Sequence, residues 1–406
     1  MYATGDPIGQ WDSASTDWEE FVLWDLAEYI NGGPFKPSDF NESGLRVIKI
    51  TELKYGISST TTFYNGNIKQ KYLIDKGDLL FAWSGNPETS LDAFIWRGDK
   101  AILNQHIFKV IPKDFVNKHY LYFLLKYLRP TFIRTARDKA TSMGHVKVSD
   151  LKRLIARIPS LPKQRLIAGI LGALDDKIEL NRRMNATLES MARAVYRQWF
   201  MENEDVGSWD IGQIKNLGEI ITGKTPPTND RENYDGEILF ITIPDMHGKM
   251  FVIETGKTLS EQGVQTQRNK TLPPFSICVS CIATPGLVSM TTMPAQTNQQ
   301  INSLIPRDNK SYFYCYFALR ELGDEIRARG SGGSVLLNLN KGQFETMDIS
   351  IPPADLMHKF QEFAEPLLMR LLANEKESRT LASLRDGLLP KLMRGEVRVK
   401  EVEENK

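Results

Sequence analysis

The sequence predicts an α+β fold with a pseudo-two-fold internal repeat, in which two mixed modules are separated by two long antiparallel coiled-coil helices. The chain matches itself at a shift of about 193 residues, which indicates a duplicated unit. Each copy contains short strand-like runs between Gly, Asn and Pro turns, and each ends in a long stretch with apolar side chains at seven-residue spacing. This period is too long for a solenoid, whose repeats are far shorter.

The repeat is carried by matching strings in the same order along the chain. The matched pairs are LAEYING (26–32) with LGEIITG (217–223), VIKITEL (47–53) with FITIPDM (240–246), and LNQHIFKVIP (103–112) with TNQQINSLIP (297–306). We therefore divide the chain into a first module at 1–160, a long central helix at 161–207, a second module at 208–353 and a C-terminal long helix with its tail at 354–406.

Within the first module, three apolar runs at 45–50, 77–83 and 105–111 predict strands. A helix is predicted at 119–128 and should end before Pro130, because proline excludes helical geometry from its predecessor. The second module repeats this order. Its predicted elements are strands at 237–243, 275–282 and 301–306 and a helix at 312–322.

The two long helices are predicted at 162–200 and 355–393, each about 58 Å long at ~1.5 Å per residue. Each has an asparagine at its centre, and buried asparagines fix the register of paired helices at some cost in stability. The alternative is that each helix packs on its own module with its asparagine at the surface. The predicted contact positions are Ile167, Ile170, Leu174, Asn181, Leu188 and Met191 in the first helix, and Phe360, Leu367, Asn374, Leu381 and Leu384 in the second.

Composition indicates a cytoplasmic protein. The sequence has 406 residues, is 41% hydrophobic, and has no apolar run long enough to span a membrane and no signal-peptide pattern at its start. Three cysteines in a chain of this size are typical of a reducing compartment, so we expect no disulfides.

The charge distribution indicates nucleic acid as a partner of the first module. The formal net charge is only +1, but residues 61–160 hold seventeen basic and eight acidic side chains, giving +9. The equivalent stretch 255–353 is only +2, from nine basic and seven acidic residues. Within it, 271–306 has no charged residue and is rich in Thr, Ser, Asn and Gln, which we expect to read base edges.

No catalytic or metal-binding residue is assigned. Cys278 and Cys281 form a C-x-x-C, but they lie in a predicted strand without a second ligand pair, so a core role is favoured. The five histidines have no metal-ligand spacing. Glu52-Leu53-Lys54, with Asp39 upstream, imitates part of a nuclease site, but the second copy has Asp245-Met246-His247 there. Phosphate-binding loops and amino-methyltransferase motifs are absent from the sequence.

Polar turns at strand ends and basic side chains are the candidate DNA-binding groups. Small polar turns let backbone N–H groups and hydroxyls approach phosphates or bases, amides can pair with adenine, and Arg and Lys bind phosphate or guanine. Each of these could instead be a solvated surface group or could stabilise its turn. The candidates are Lys69, Lys71, Ser84, Gly85, Asn86, Arg97, Asn104, Gln105, Arg134, Lys139, Thr141 and Ser142 in the first module, and Lys224, Thr225, Arg268, Lys270, Thr284, Asn298, Gln299, Gln300, Arg329, Ser331 and Gly332 in the second.

Several strings together resemble the specificity subunit of type I restriction-modification systems, over residues 18–397. They are LGEIITGKTPPT (217–228), CIATPGLVSMTTMPAQTNQQINSLIP (281–306), IPSLPKQRLIAGILGALDDKIELNRRMN (158–185), YRQWF (196–200) and RTLASLRDGLLPKLMRGEV (379–397). The chain departs from the usual Pro-Pro-Leu-x-Glu-Gln helix entry, with SLPKQ at 160–164 and PPADL at 352–356.

The resemblance implies two target-recognition domains, at 1–160 and 208–353, separated by spacer helices. It implies a non-catalytic subunit that reads a bipartite, asymmetric site in double-stranded DNA. Its partners would be two methyltransferase subunits and two restriction subunits with translocase activity, with no membrane. S-adenosylmethionine, ATP and Mg²⁺ would bind those partners and not this chain. Two other classes remain open: a self-contained restriction enzyme or methyltransferase, and a coiled-coil scaffold that binds no DNA.

Overall fold

The computed structural model describes residues 18–137, 144–330 and 339–397. They form two compact units. Unit 1 comprises the chain up to Ile178 together with the segment from Thr380 onwards, and unit 2 is Glu179–Arg379. Each unit contains one α+β module and parts of both long helices, which confirms the predicted class and the internal repeat. The C-terminal segment therefore belongs to the unit that holds the first module.

Two four-stranded sheets form the module of unit 1, in the orders β2-β10-β6-β8 and β4-β3-β9-β5, and two short ribbons, β1-β12 and β7-β11, accompany them. All neighbours in these sheets are antiparallel except β3 and β9, which run parallel. The strands are β1 Glu19–Val22, β2 Ala27–Asn31, β3 Leu45–Ile48, β4 Phe63–Tyr64, β5 Leu73–Ile74, β6 Leu79–Ala82, β7 Ser84–Gly85, β8 Asp92–Ile95, β9 Ala101–Leu103, β10 Ile107–Pro112, β11 Gly144–His145 and β12 Ile155–Ile158.

One helix of unit 1, α3, lies against the first of these sheets. Helix α3 buries Tyr120 and Phe123 against the strands, and its first turn is capped by Asn117. The prediction that proline stops this helix is right in position, but a second helix, α4, starts at once, because Pro130 fits a first helical turn. The helices are α1 Ile50–Tyr55, α2 Pro87–Ser90, α3 Lys118–Tyr127, α4 Arg129–Arg137, α5 Val148–Leu151 and the long α6 Leu161–Phe200.

Unit 2 repeats this plan with one longer strand, β15, which has eight residues where β3 has four. A five-stranded sheet has the order β14-β21-β18-β19-β16, a three-stranded sheet has the order β17-β15-β20, and β13 pairs with β22. The strands are β13 Asp210–Gln213, β14 Gly218–Thr222, β15 Tyr234–Ile241, β16 Phe251–Val252, β17 Thr258–Leu259, β18 Ile277–Ser280, β19 Val288–Thr291, β20 Ala295–Thr297, β21 Ile301–Pro306 and β22 Asp348–Ile351. The helices are α7 Ile214–Leu217, α8 Ile243–Met246, α9 Glu261–Gln265, α10 Tyr312–Glu321, α11 Gly323–Gly330, α12 Lys341–Glu345 and α13 Ala354–Met393.

The two long helices, α6 and α13, each start one residue before the predicted position. In unit 1, Arg385 Nη1 lies 2.5 Å from Asp175 Oδ1, and in unit 2 Asn185 Nδ2 donates to Leu371 O at 3.3 Å. Residue numbers on one helix rise as those on its partner fall, so the helices run antiparallel, as predicted.

The face of these helices that is buried differs from the predicted one. Ile170, Met191 and Leu384 are 41%, 47% and 50% exposed, so their assignment as contact positions is wrong. The buried positions lie four residues, and not three, after the predicted contact positions Ile167 and Leu188: they are Leu171 and Ala192, both 0% exposed. The physical reason is that each helix also packs on a module core, which turns the buried stripe toward the i+4 side.

The central asparagines are buried, so the alternative that places them at the surface is wrong. In unit 2, Asn181 Nδ2 donates to Asn374 O at 3.3 Å, to Glu377 Oε2 at 2.7 Å and to Ser378 Oγ at 3.2 Å. Asn374 Nδ2 in turn donates to Asn185 Oδ1 at 2.8 Å. Positions 181 and 185 correspond to 374 and 378 under the shift of 193, so the contacts are symmetric about the asparagine pair.

Candidate nucleic-acid interface

A turn between β9 and β10 of unit 1 connects the ends of the two main sheets. The N–H of Asn104 donates to Ile48 O at 3.0 Å, which attaches the turn to β3. The carbonyl of His106 accepts the N–H of Trp83 at 3.2 Å, which attaches it to the end of β6. The predicted amides therefore lie where three strands end together.

Unit 2 builds the same turn between β20 and β21. The N–H of Asn298 donates to Ile241 O at 3.2 Å, and the carbonyl of Gln300 accepts the N–H of Cys281 at 2.9 Å. These bonds match those of unit 1 position by position. The backbone of the turn is therefore common to both modules, although its side chains differ.

A glycine beside each turn lets a neighbouring strand approach closely. A Cβ on Gly32 would lie 2.3 Å from Asn104 O, and one on Gly223 would lie 2.2 Å from Asn298 O. Both contacts are with backbone atoms, which cannot move aside as a flexible side chain can. The glycines of LAEYING and LGEIITG thus have a structural role that their alignment in the repeat reflects.

The two predicted asparagines stabilise the turn from inside. Asn104 and Asn298 are both 9% exposed, and their Oδ1 atoms accept the N–H groups of His106 and Gln300 at 3.4 and 3.0 Å. Gln299, in contrast, is exposed and accepts a hydrogen bond from the Thr225 hydroxyl at 2.6 Å. Contact of any of these amides with DNA stays a prediction, and Gln299 is better placed for it than either asparagine.

An aromatic and histidine cluster surrounds the turn of unit 1. The Trp83 ring lies 6.0 Å from the His106 ring and 5.8 Å from the His145 ring, centre to centre. Trp83 Nε1 donates to Asn31 Oδ1 at 3.0 Å, and Ser84 Oγ lies 2.8 Å from His145 Nδ1. Burial lowers the pKa of His106, and the nearby His145 lowers it further.

The polar loops that follow β6 and β18 use a left-handed residue at the equivalent place. Gly85 has φ +117° in unit 1, and Ala283 has φ +64° in unit 2. Ser84 is buried against His145, whereas Asn86 caps the short helix α2 and Thr284 is exposed. The loops thus share a residue with positive φ three positions after the strand, and they present different side chains.

The predicted basic side chains lie mostly at the surface. Lys69, Lys71, Arg97, Arg134, Lys224 and Arg268 are exposed, and Lys270 is half-buried. Arg97 has a weak surface partner, Asp176, at 3.6 Å. The side chain of Arg329, together with Lys139, Thr141, Ser142, Ser331 and Gly332, lies outside the described residues.

Part of the uncharged polar stretch of unit 2 lies in the interior of the unit, whereas Thr284 and Gln299 within it are exposed. Ser276, Ser280 and Gln296 are fully buried and bonded within the unit. Gln296 Nε2, for example, donates to Thr271 Oγ1 at 2.9 Å. For these three buried residues the prediction is wrong, because a sequence of hydroxyl and amide residues cannot distinguish a polar surface from a polar interior whose hydrogen bonds are satisfied.

The weak catalytic candidates have structural roles. Glu52 caps α1 by accepting the Lys49 N–H at 3.0 Å, and Asp245 caps α8 by accepting the Thr242 N–H at 2.8 Å. Cys278 and Cys281 are free and buried in different hydrophobic clusters, and burial raises their pKa to about 12 and about 11. Within 18–137, 144–330 and 339–397, no group of three His, Cys, Asp or Glu could hold a metal.

Sequence patterns do not reveal the cluster of Trp83, His106 and His145. The two histidines are 39 positions apart in the chain and have no spacing typical of a site. One signal could have found them: within the repeat, His106 aligns with Gln300, so the same turn carries an ionisable ring in one copy and an amide in the other.

Among the described residues, no helix is long and apolar enough to cross a membrane.

Comparisons with known proteins assign both halves of the chain to one family. Residues 15–190 and 207–377 each match the model of the type I restriction modification DNA specificity domain. The chain is 28% identical to the type I restriction enzyme HindI specificity subunit of Haemophilus influenzae, over 94% of this chain and 100% of that protein. It is 26% identical to the MjaIX specificity subunit of Methanocaldococcus jannaschii, over 74% and 73% of the two chains.

Among solved structures, the type I restriction-modification S subunit from M. genitalium matches with a TM-score of 0.59. It shares 16% sequence identity, with coverage of 92% of this chain and 96% of that one, a likeness that concerns the fold. Because the family model matches the chain twice and the two matches cover most of the chain, the chain belongs to the type I restriction-modification specificity subunits and carries two DNA specificity domains.

Proposed function

We propose that this chain reads a bipartite, asymmetric site in double-stranded DNA, with one part of the site bound by each module. One observation carries the proposal: the strand-end turns at 104–106 and 298–300 share their backbone hydrogen bonds but present His106 in one and Gln300 in the other. Two such surfaces of common shape and unlike chemistry suit two unlike half-sites.

We further propose that the chain is a non-catalytic scaffold. Two methyltransferase subunits and two restriction subunits would perform the reactions and would bind S-adenosylmethionine, ATP and Mg²⁺. The names of the similar subunits from Haemophilus influenzae and Methanocaldococcus jannaschii support this assignment. Methylation of an adenine requires the base to leave the helix and enter a partner's pocket.

In this proposal the long helices set the spacing between the two half-sites. The buried pair Asn181 and Asn374 holds the register of α6 and α13, because each amide bonds to the opposite helix. We expect the half-sites to lie about one DNA turn apart, ~34 Å.

Methylome sequencing of cells with and without this gene tests the proposal. We expect a two-part adenine-methylated motif that disappears when the gene is deleted. An unchanged methylome, together with purified chain and methyltransferase partner that do not bind duplex DNA, would favour the scaffold class instead. A purified chain that methylates or cleaves DNA alone would favour the self-contained enzyme.

A salt titration tests whether the basic side chains of unit 1 bind phosphate. Exchanging Arg97 and Arg134 for Ala should reduce the slope of log affinity against log salt by about 1 for each phosphate that is no longer bound. The matched pair in unit 2, Lys224→Ala with Arg268→Ala, should reduce the slope less if unit 1 binds more of the phosphates. An unchanged slope in the first variant would contradict this role.

A further inference from the structure

We propose that His106 and His145 form a phosphate-binding subsite for DNA in unit 1, and that the protein takes up a proton there when DNA binds. The inference deepens the proposed DNA-binding function and depends on it. Both imidazoles lie beside the Trp83 ring, one on the turn before β10 and the other on β11.

The neighbours of both rings accept either protonation state. Ser84 Oγ lies 2.8 Å from His145 Nδ1, and a hydroxyl can donate to a neutral imidazole nitrogen or accept from a protonated one. Gln105 Nε2 lies 3.4 Å from His106 Nε2, and its amide can present either nitrogen or oxygen after rotation. Both interactions can therefore persist when a proton arrives.

Basic side chains lie on a helix that packs beside the cluster. Helix α4, which carries the exposed Arg134, packs against β11, the strand of His145. Helix α2 packs against β7 and carries Glu88, but Arg137 engages this carboxylate at 2.5 Å. The charge of His145 lowers the pKa of His106. The aromatic face of Trp83 can also stabilise an imidazolium within about 6 Å.

We expect the DNA complex to bind more protons at the histidine subsite than the free protein does. Burial, followed by the repulsion from His145, lowers the pKa of His106, so this ring is neutral in the free protein at neutral pH. A phosphate oxygen against the ring stabilises the charged form and raises the pKa again. Because the complex then binds more protons than the free protein, affinity increases as pH falls from 8 toward 6.

Unit 2 provides a natural comparison for the subsite. Its turn has Gln300 where unit 1 has His106, and Cys281 where unit 1 has Trp83. Glutamine is therefore compatible with this turn, and His106→Gln should fold normally. The proton uptake should accordingly come from unit 1.

The test is DNA affinity of the full-length chain with its methyltransferase partner, measured at pH 6, 7 and 8. The probes are a duplex with the motif from the methylome experiment and a scrambled duplex of the same length. Wild type should bind both more tightly at pH 6 than at pH 8, by up to about tenfold for each pH unit in which one proton is taken up. His106→Gln and His145→Gln should each lose most of this gain on both probes, whereas His247→Gln, on an exposed turn of unit 2, should keep it.

Three outcomes overturn the proposal. Wild type could bind with no pH dependence beyond that of His106→Gln, or both variants could keep the full dependence. The loss could also be confined to one base pair of the motif, which would indicate base reading instead of phosphate binding. Failure of the proposed function itself differs from these, since neither duplex would then be bound at any pH.

Discussion

The strand-end turns of the two modules have the same backbone hydrogen bonds but different side chains. Both attach to their neighbouring strands through the same pair of hydrogen bonds, and both depend on a glycine, Gly32 or Gly223, where a strand passes close by. The fold therefore separates the groups that support the turn from the groups that it presents. Backbone bonds and glycines hold the turn, so His106 or Gln300 can be exchanged without altering the framework.

The largest expected effect comes from filling the space beside the turn. Gly223→Ala places a Cβ 2.2 Å from Asn298 O and should destabilise unit 2 by about 3 kcal/mol, because two backbone segments must separate. Gly32→Ala should do the same to unit 1. Thermal unfolding with limited proteolysis would identify the unit that opens first.

Two helical glycines provide the control for this pair. A Cβ on Gly169 or Gly172 meets nothing within 4 Å, so alanine there should stabilise α6 by up to about 1 kcal/mol through helix propensity. If all four substitutions had similar effects, close strand approach would not be the reason for Gly32 and Gly223.

The long helices also differ between the two units. Asp175 and Arg385 pair in unit 1, where their side chains are 12% and 23% exposed. The shift of 193 relates them to Leu368 and Ala192, which are buried in the apolar core of unit 2. Asp175→Leu alone should cost about 2 kcal/mol, because the partly buried charge of Arg385 is then left with the more exposed Asp386 and the Tyr122 hydroxyl loses its acceptor.

The double substitution Asp175→Leu with Arg385→Ala copies the arrangement in unit 2 and should be within about 1 kcal/mol of wild type. Urea unfolding of the single and double variants measures the difference. A double variant as unstable as the single one would mean that the ion pair cannot be exchanged for apolar packing.

Helix positions 375 and 182 are equivalent under the shift of 193, but position 375 holds a carboxylate with a buried oxygen and position 182 an exposed arginine. Glu375 in unit 2 has a pKa raised to about 7, first by burial and then by the charge of Glu189, with Lys249 opposing, and its Oε2 is buried without a hydrogen bond. Its counterpart Arg182 is exposed and pairs with Glu179 at 2.8 Å.

The pKa of Glu375 in the folded protein lies above its ordinary value, so the folded protein favours the protonated carboxyl. As the pH rises through about 7, this carboxyl ionises in its buried position and the free energy of unfolding falls. Glu375→Gln should therefore stabilise the protein by about 1–2 kcal/mol at pH 8 and by less at pH 5. Arg182→Gln, the control, should give a change below about 0.5 kcal/mol at both values. Melting temperatures that move equally at pH 5 and 8 would argue against a buried charge at Glu375.

We expect the smallest effects on stability at the two residues with positive φ, Gly85 after β6 and Ala283 after β18. Ala283 has φ +64°, which glycine adopts more readily, so Ala283→Gly should stabilise unit 2 by about 0.5 kcal/mol. Gly85→Ala should destabilise unit 1, because its Cβ would lie 2.6 Å from Ser90 Oγ at φ +117°. Chemical denaturation measures both, and opposite signs are expected.

Local patterns predict most of the framework. The strands at 45–50, 77–83 and 105–111 and both long helices appear within two residues or so of the predicted bounds, because hydrophobic periodicity and proline act over a few neighbours. Helix α1 is not among the predicted elements. It is a six-residue helix capped by Glu52, a carboxylate whose sequence context imitates a nuclease site instead.

The candidate site is less predictable. Exposed Arg97, Arg134 and Lys224 fit the predicted surface, but Asn104 and Asn298 are turned inward. Whether an amide faces solvent or its own turn depends on where the next strand passes, and single-residue spacing contains no such information.

Residue order alone specifies the duplication, the α+β class, the two long helices and the asparagines at their centres, since each follows from the order of residues or from short-range periodicity. Packing of the folded chain selects which side of those helices is buried, so that Leu171 and not Ile170 enters the core. It also brings His106 and His145 together beside Trp83. Burial and proximity of this kind arise from contacts between segments far apart in the chain, which only the packed fold specifies.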